Sequence, residues 1–141
     1  MLKGIPENIS PELLKVLSEM GHGDEIVIAD GNFPSSSMGS IVINAHGNDS
    51  VAMLSSILKL LPLDQYDSSN FVLMQKCDGD DADTTVWNEF KEVLYNYNPD
   101  AKITFLERFD FYERAKKAYA VVSTSEKRQY ANIILKKGCV L

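Results

Sequence analysis

Apolar residues fall along this chain in two rhythms, one suited to helices and one to buried strands. Leu13, Leu14, Leu17 and Met20 recur at helical spacing. Ser10 ahead of them is a natural N-cap, Pro11 suits the first helical position, Glu12 favours the positive end of the helix dipole, and Gly21 closes the element. Residues 25–30 form a short apolar run that predicts a buried strand, and 31–37 read as loop chemistry. A strand is expected at 41–43. Val51, Leu54, Ile57, Leu58 and Leu61 then share a helical face that Pro62 ends. Residues 71–74 predict a strand. Val86, Phe90, Val93, Leu94 and Tyr97 form the inner side of a helix that follows Thr84-Thr85. Beyond it, strands are expected at 103–105, 119–123 and 132–135, with a short helix at 111–118. Strands alternating with helices predict an α/β layered fold.

Neither an internal repeat nor a linker interrupts the pattern, so residues 1–141 are expected to form one domain. With 45% hydrophobic residues the chain can bury a core, while no apolar run approaches the ~18 residues of a membrane span. The formal charge of -6 and pI near 4.8 argue against a nucleic-acid partner. The basic runs are only pairs: Lys116-Lys117, Lys127-Arg128 and Lys136-Lys137. Cys77 and Cys139 form no metal or disulfide pattern and read as reduced thiols. With no secretory leader pattern, the expected location is cytoplasmic. The acidic stretch 78–83 lacks the glutamate that completes a calcium loop, and it reads as a solvated loop without metal.

Few side chains are candidates for chemistry. His46 sits in a turn-like context and reads as structural. His22 lies between Gly21 and Gly23, where a helix ends and a buried strand begins. Flanking glycines allow unusual backbone angles and close ligand approach, but a histidine capping a helix fits the same position. Such a junction also lies at the edge of the sheet opposite the usual ligand crevice. Asp30 ends an apolar strand, where it either caps the following loop or holds a hydroxyl. Residues 107–114 interleave aromatic and charged side chains, Arg108 and Tyr112 among them, and Tyr130 and Asn132 open the last strand with hydrogen-bonding capacity. On residue type alone, packing explains Tyr112 and Tyr130 better than a site does.

Three segments together resemble the L-fucose mutarotases of the ribose pyranase and fucose mutarotase family. They are Met20-Gly21-His22-Gly23-Asp24-Glu25-Ile26 with Asp30 and Asn32-Phe33-Pro34, Arg108-Phe109-Asp110-Phe111-Tyr112-Glu113-Arg114-Ala115, and Tyr130-Ala131-Asn132-Ile133 ahead of Gly138. The resemblance implies a three-layer α/β/α sandwich with a mixed, largely parallel sheet. It implies α/β anomer exchange of free L-fucose without cofactor or metal. His22 would transfer the proton, with Tyr112 and Tyr130 as further proton-transfer or orienting groups. Asp30, Arg108 and Asn132 would clamp hydroxyls, and Ala131, Asp64 and Met74 would line the site. A closed ring, often a decamer, is also implied, with sites near subunit boundaries. Ala131 stands where fucose mutarotases often carry glycine, which keeps a D-ribose pyranase as the alternative. A non-catalytic sugar-binding accessory, which would need no His22, is the other.

Overall fold

Glu25–Ala29 forms strand β1, and four of its five residues are fully enclosed. A strand buried on both faces needs partners and cover on both sides, and the rest of the chain supplies them. The computed structural model describes residues 1–141, with α1 at Pro11–Glu19, α2 at Ser35–Met38, β2 at Val42–Ala45, α3 at Ser50–Leu58 and β3 at Phe71–Met74. α4 at Val86–Tyr97, β4 at Ile103–Leu106, α5 at Arg108–Lys116, β5 at Ala120–Thr124 and β6 at Ile133–Lys136 complete it. The sheet order is β2-β5-β1-β6-β3-β4. β1–β5, β2–β5 and β3–β4 pair in parallel, while β6 runs antiparallel to both β1 and β3. Five strands therefore share one direction and β6 alone opposes them, which gives the expected mixed, largely parallel sheet.

Alternate residues of each strand face opposite layers. Ile26, Ile28, Phe71, Leu73, Ile133 and Leu135 meet Leu13 and Leu17 of α1, Met53 and Ile57 of α3, and Phe90 and Leu94 of α4. Val27, Ala29, Val72, Val121 and Ile134 meet Phe33 and, from α5, Phe111 and Ala115. The two clusters are the two faces of a three-layer sandwich. Phe71, Phe90 and Phe111 are among the largest fully buried side chains, each contributing about 1.5–3 kcal/mol by removal from water.

Local chemistry explains where elements begin. The Ser10 side chain accepts from Leu13 N–H at 3.1 Å, as an N-cap should. Asp49 does the same for Ala52 at 2.7 Å. Several strand ends shift by a residue or two from the sequence reading, and two differences are larger. Residues 35–38, read as loop, form the single turn α2, too short to show a period. The helix expected from Phe111 starts at Arg108, because the Glu107 carboxylate accepts from the Phe109 and Asp110 amides. That shift moves Arg108 from a loop onto the first turn of α5.

Candidate active site

The strand ends set the site. Asp30 follows β1, Met74 ends β3, Arg108 opens α5 just past β4, and Asn132 precedes β6. Because β6 runs backwards, its start lies at the same edge as the ends of β1 and β3. These residues, with Asn32, Phe33, Tyr112, Gln129 and Tyr130, line an open cleft of about 250 Å3.

Asp30 and Asn132 make the floor, and both are buried. The Asp30 amide donates to Asn132 Oδ1 at 2.8 Å, and Asn132 Nδ2 donates back to Asp30 Oδ2 at 3.0 Å. Asp30 Oδ1 also accepts from the Asn32 amide at 3.0 Å. Burial raises the Asp30 carboxyl above its ordinary value, and the Asn32 and Asn132 hydrogen bonds pull against that rise. Arg108 Nε donates to the Tyr112 hydroxyl at 3.1 Å, one helical turn on, and its guanidinium lies 5.4 Å from that ring's centroid. Phe33 packs edge-on against Tyr112 at 5.6 Å and against Phe111 at 6.0 Å. Arg108 is exposed, so a cation stands at the mouth and a carboxylate at the floor.

Tyr130 reaches the cleft on strained backbone, with φ of 56° in the left-handed region that residues with a Cβ avoid. Its hydroxyl donates to Asp80 Oδ2 at 2.6 Å, and its carbonyl accepts from the Trp87 indole N–H at 2.9 Å. The Ala131 side chain faces the core beneath and is fully buried.

His22 and Asp64 lie elsewhere. His22 precedes β1 and Asp30 follows it, so the five residues of β1, about 16 Å of strand, stand between them. His22 Nε2 is 3.1 Å from Asp64 Oδ1, its ring is tilted against Tyr66 at 5.7 Å, and its side chain is 47% exposed. The Tyr66 amide, and after it His22, hold the Asp64 carboxyl below its usual range. Gly23 makes this turn with φ of 90°. The Asp64 loop packs so close to Gly138 that a Cβ there would sit 2.4 Å from the Leu63 carbonyl oxygen. His46 is a turn residue, its Nε2 3.3 Å from the Ser123 hydroxyl. No group of three His, Cys, Asp or Glu side chains could hold a metal ion.

One chain thus gathers Asp30, Met74, Arg108, Tyr112, Tyr130 and Asn132, and leaves His22 and Asp64 at the far edge of the sheet. The sequence reading gave no role to Asn32, Phe33 or Gln129. The first two lie two and three positions past Asp30, in a segment that carries the resemblance, and had that as a signal. Gln129 carried none.

The RbsD / FucU transport protein family model matches residues 3–140. This chain belongs to the RbsD / FucU transport protein family. Within that family it is 49% identical over 143 residues to a fucose mutarotase of Mus musculus, with 97% of this chain and 94% of that protein aligned. It is 48% identical over 139 residues to an L-fucose mutarotase of Actinobacillus pleuropneumoniae serotype 5b (strain L20), covering 98% and 96%. The crystal structure of the fucose mutarotase from Streptococcus pneumoniae in complex with L-fucose superposes with a TM-score of 0.94 at 51% identity, over 99% of this chain and 100% of that one. The α/β sandwich described above is the fold of that enzyme.

Proposed function

We propose that this protein interconverts the α and β anomers of free L-fucose. One observation carries the reading: a fold shared end to end with a fucose-bound mutarotase holds, at its strand ends, a cleft with a buried Asp30–Asn132 floor and an Arg108–Tyr112 mouth. Asp30, Asn132 and Arg108 clamp sugar hydroxyls, while Phe33 and Met74 offer an apolar wall to the sugar's methyl group. Anomer exchange needs a base on the anomeric hydroxyl, an acid on the ring oxygen, rotation of the free aldehyde and reclosure. Proton transfers suffice for this, so the reaction is proposed to run without metal or cofactor.

Histidine is the side-chain type that exchanges protons most readily at neutral pH, which makes His22 the proton-transfer candidate. Tyr112 and Tyr130 are the other candidates, for proton transfer or for orienting hydroxyls. His22 lies at the edge away from the cleft, so a second copy must bring its own His22 there. A contact joining one edge of a chain to the opposite edge of the next is heterologous, and such contacts form a ring where the rotation between copies closes. A ring, with ten copies as the expectation, is therefore part of the proposal. The expected compartment is the cytoplasm; no helix is long and apolar enough to cross a membrane.

Ala131 gave the case for a ribose pyranase. Its methyl group packs in the core and is absent from the cleft wall, so it does not shape the sugar pocket directly. Saturation-transfer NMR on L-fucose, D-galactose and D-ribose tests the substrate. L-fucose is expected to exchange fastest, and a clear preference for D-ribose would replace the reading with the pyranase.

A further inference from the structure

Tyr112 and Tyr130 face one cleft, yet their hydroxyls are wired in opposite senses. A phenol has one proton to give and lone pairs to accept with. Tyr130 gives its proton to Asp80 Oδ2 at 2.6 Å and also accepts from the Cys77 amide at 3.3 Å. What it can still offer a ligand is acceptance. Tyr112 accepts from Arg108 Nε at 3.1 Å, and no group in the chain takes its proton. What it offers is donation.

Asp80 lies outside the cleft wall, in the acidic loop that the sequence left without a role. It is itself fixed, because its Oδ1 accepts from the Ala82 amide at 2.9 Å. Trp87, packed against Phe105 at 5.1 Å, holds the Tyr130 carbonyl from the other side. Tyr130 sits in the left-handed region, so its ring direction depends on these external bonds.

We propose that Asp80 is a positioning residue that fixes Tyr130 as an acceptor for a sugar hydroxyl, leaving Tyr112, backed by Arg108, as the proton donor to the ring oxygen. This role rests on the mutarotase reading above. The anomeric O–H proton passes to His22 of a second copy, and the O–H electron pair becomes the carbonyl bond. The ring C–O bond breaks with its pair on the ring oxygen, which takes the Tyr112 proton. The phenolate left behind is paired with Arg108. Tyr130 accepts a hydrogen bond throughout and takes no proton. In keeping with this, the bond to Asp80 pushes the Tyr130 phenol up to about 12 and holds the Asp80 carboxyl below its ordinary value. Its proton therefore stays in place at neutral pH.

Exchange of L-fucose is measured for wild type, Asp80→Ala, Asp80→Asn, Tyr130→Phe and the Asp80→Ala/Tyr130→Phe double variant, each checked for folding by circular dichroism. Asp80→Ala should slow exchange about tenfold, the scale of losing a hydrogen bond to a charged group. Asp80→Asn, which keeps an acceptor oxygen, should recover part of the loss. The double variant should be no slower than Tyr130→Phe alone. With tyrosine isotope-labelled at Cζ, the signal missing from Tyr130→Phe should shift in Asp80→Ala at neutral pH while the other tyrosine signals stay. Wild-type exchange with a full-speed Asp80→Ala protein overturns this role alone, as do losses that multiply in the double variant. A wild type without exchange overturns the mutarotase reading and this role with it.

Discussion

Asn132 grips Asp30 at two points, accepting from its amide and donating to its carboxylate, across 102 residues of sequence. This joins the start of β6 to the end of β1 and makes the antiparallel strand part of the site. It also keeps a buried carboxylate supplied with donors while it waits for a hydroxyl. Replacing Asn132 with Ala would leave the Asp30 amide and Asp30 Oδ2 without these partners, while Oδ1 keeps the Asn32 amide; each buried polar atom left unpaired costs about 1–3 kcal/mol. Asn132→Ala should therefore lower both the melting temperature and the affinity for L-fucose, tenfold or more by calorimetry at about 1.4 kcal/mol per decade. Wild-type affinity in a folded Asn132→Ala protein would remove Asn132 from the site.

His22 separates a catalyst from a brace for Asp64. As the proton carrier, His22→Ala should slow exchange by about 10²-fold or more while sugar affinity changes little. As a brace alone, its loss should lower the melting temperature and spare turnover. Asp30→Ala should weaken binding and rate together. If cleft and histidine come from different copies, refolding His22→Ala and Asp30→Ala chains together should restore activity, since about a quarter of randomly formed sites would pair two intact halves. Mixtures no more active than either parent would place both groups in one chain's site.

Glu126 gives the fold an acid-sensitive point. It is buried and bonded to Arg128 at 2.9 Å and to the Ser50 hydroxyl at 3.1 Å, and Arg128 also pairs with Glu89. The Arg128 side chain first of all, and the Ser50 bonds further down, hold its carboxyl at about 2 against an ordinary 4.5. A depressed folded pKa gives stability that is fully present above the ordinary value and is lost as pH falls toward about 2. Glu126→Gln should cost about 1–2 kcal/mol at neutral pH, less than a fully buried pair, because Arg128 is partly exposed and keeps Glu89. Denaturant melts from pH 7 to pH 2 should show the gap between wild type and variant closing below pH 4.5. A gap independent of pH would mean that ionisation of Glu126 is not the source of its contribution.

Much of this was legible in the residues because local chemistry and periodicity agreed. The strands at β1, β3 and β5 are apolar runs whose burial the sheet confirms, and Ser10 caps α1 as its residue type implies. Asp30 stood out as a carboxylate ending an apolar strand. What local pattern cannot carry is which strand ends share an edge. The reversal of β6 brings Asn132 to Asp30 and sends the β6 exit toward Asp64, so His22 and Asp30 part company although they lie only eight positions apart in sequence. Arg114 shows the same limit. It belongs to the segment that carried the resemblance, yet it bonds Glu25 and Ser69 and ties α5 to the sheet away from the cleft.

The most direct measurement is anomer exchange itself. Purified protein is added to L-fucose at equilibrium, and saturation is transferred between the α and β anomeric proton signals by NMR, with and without a metal chelator. The account predicts exchange well above that in buffer, undiminished by the chelator and without added nucleotide. Exchange equal to buffer would contradict the mutarotase assignment, and exchange abolished by the chelator would contradict its cofactor-free chemistry.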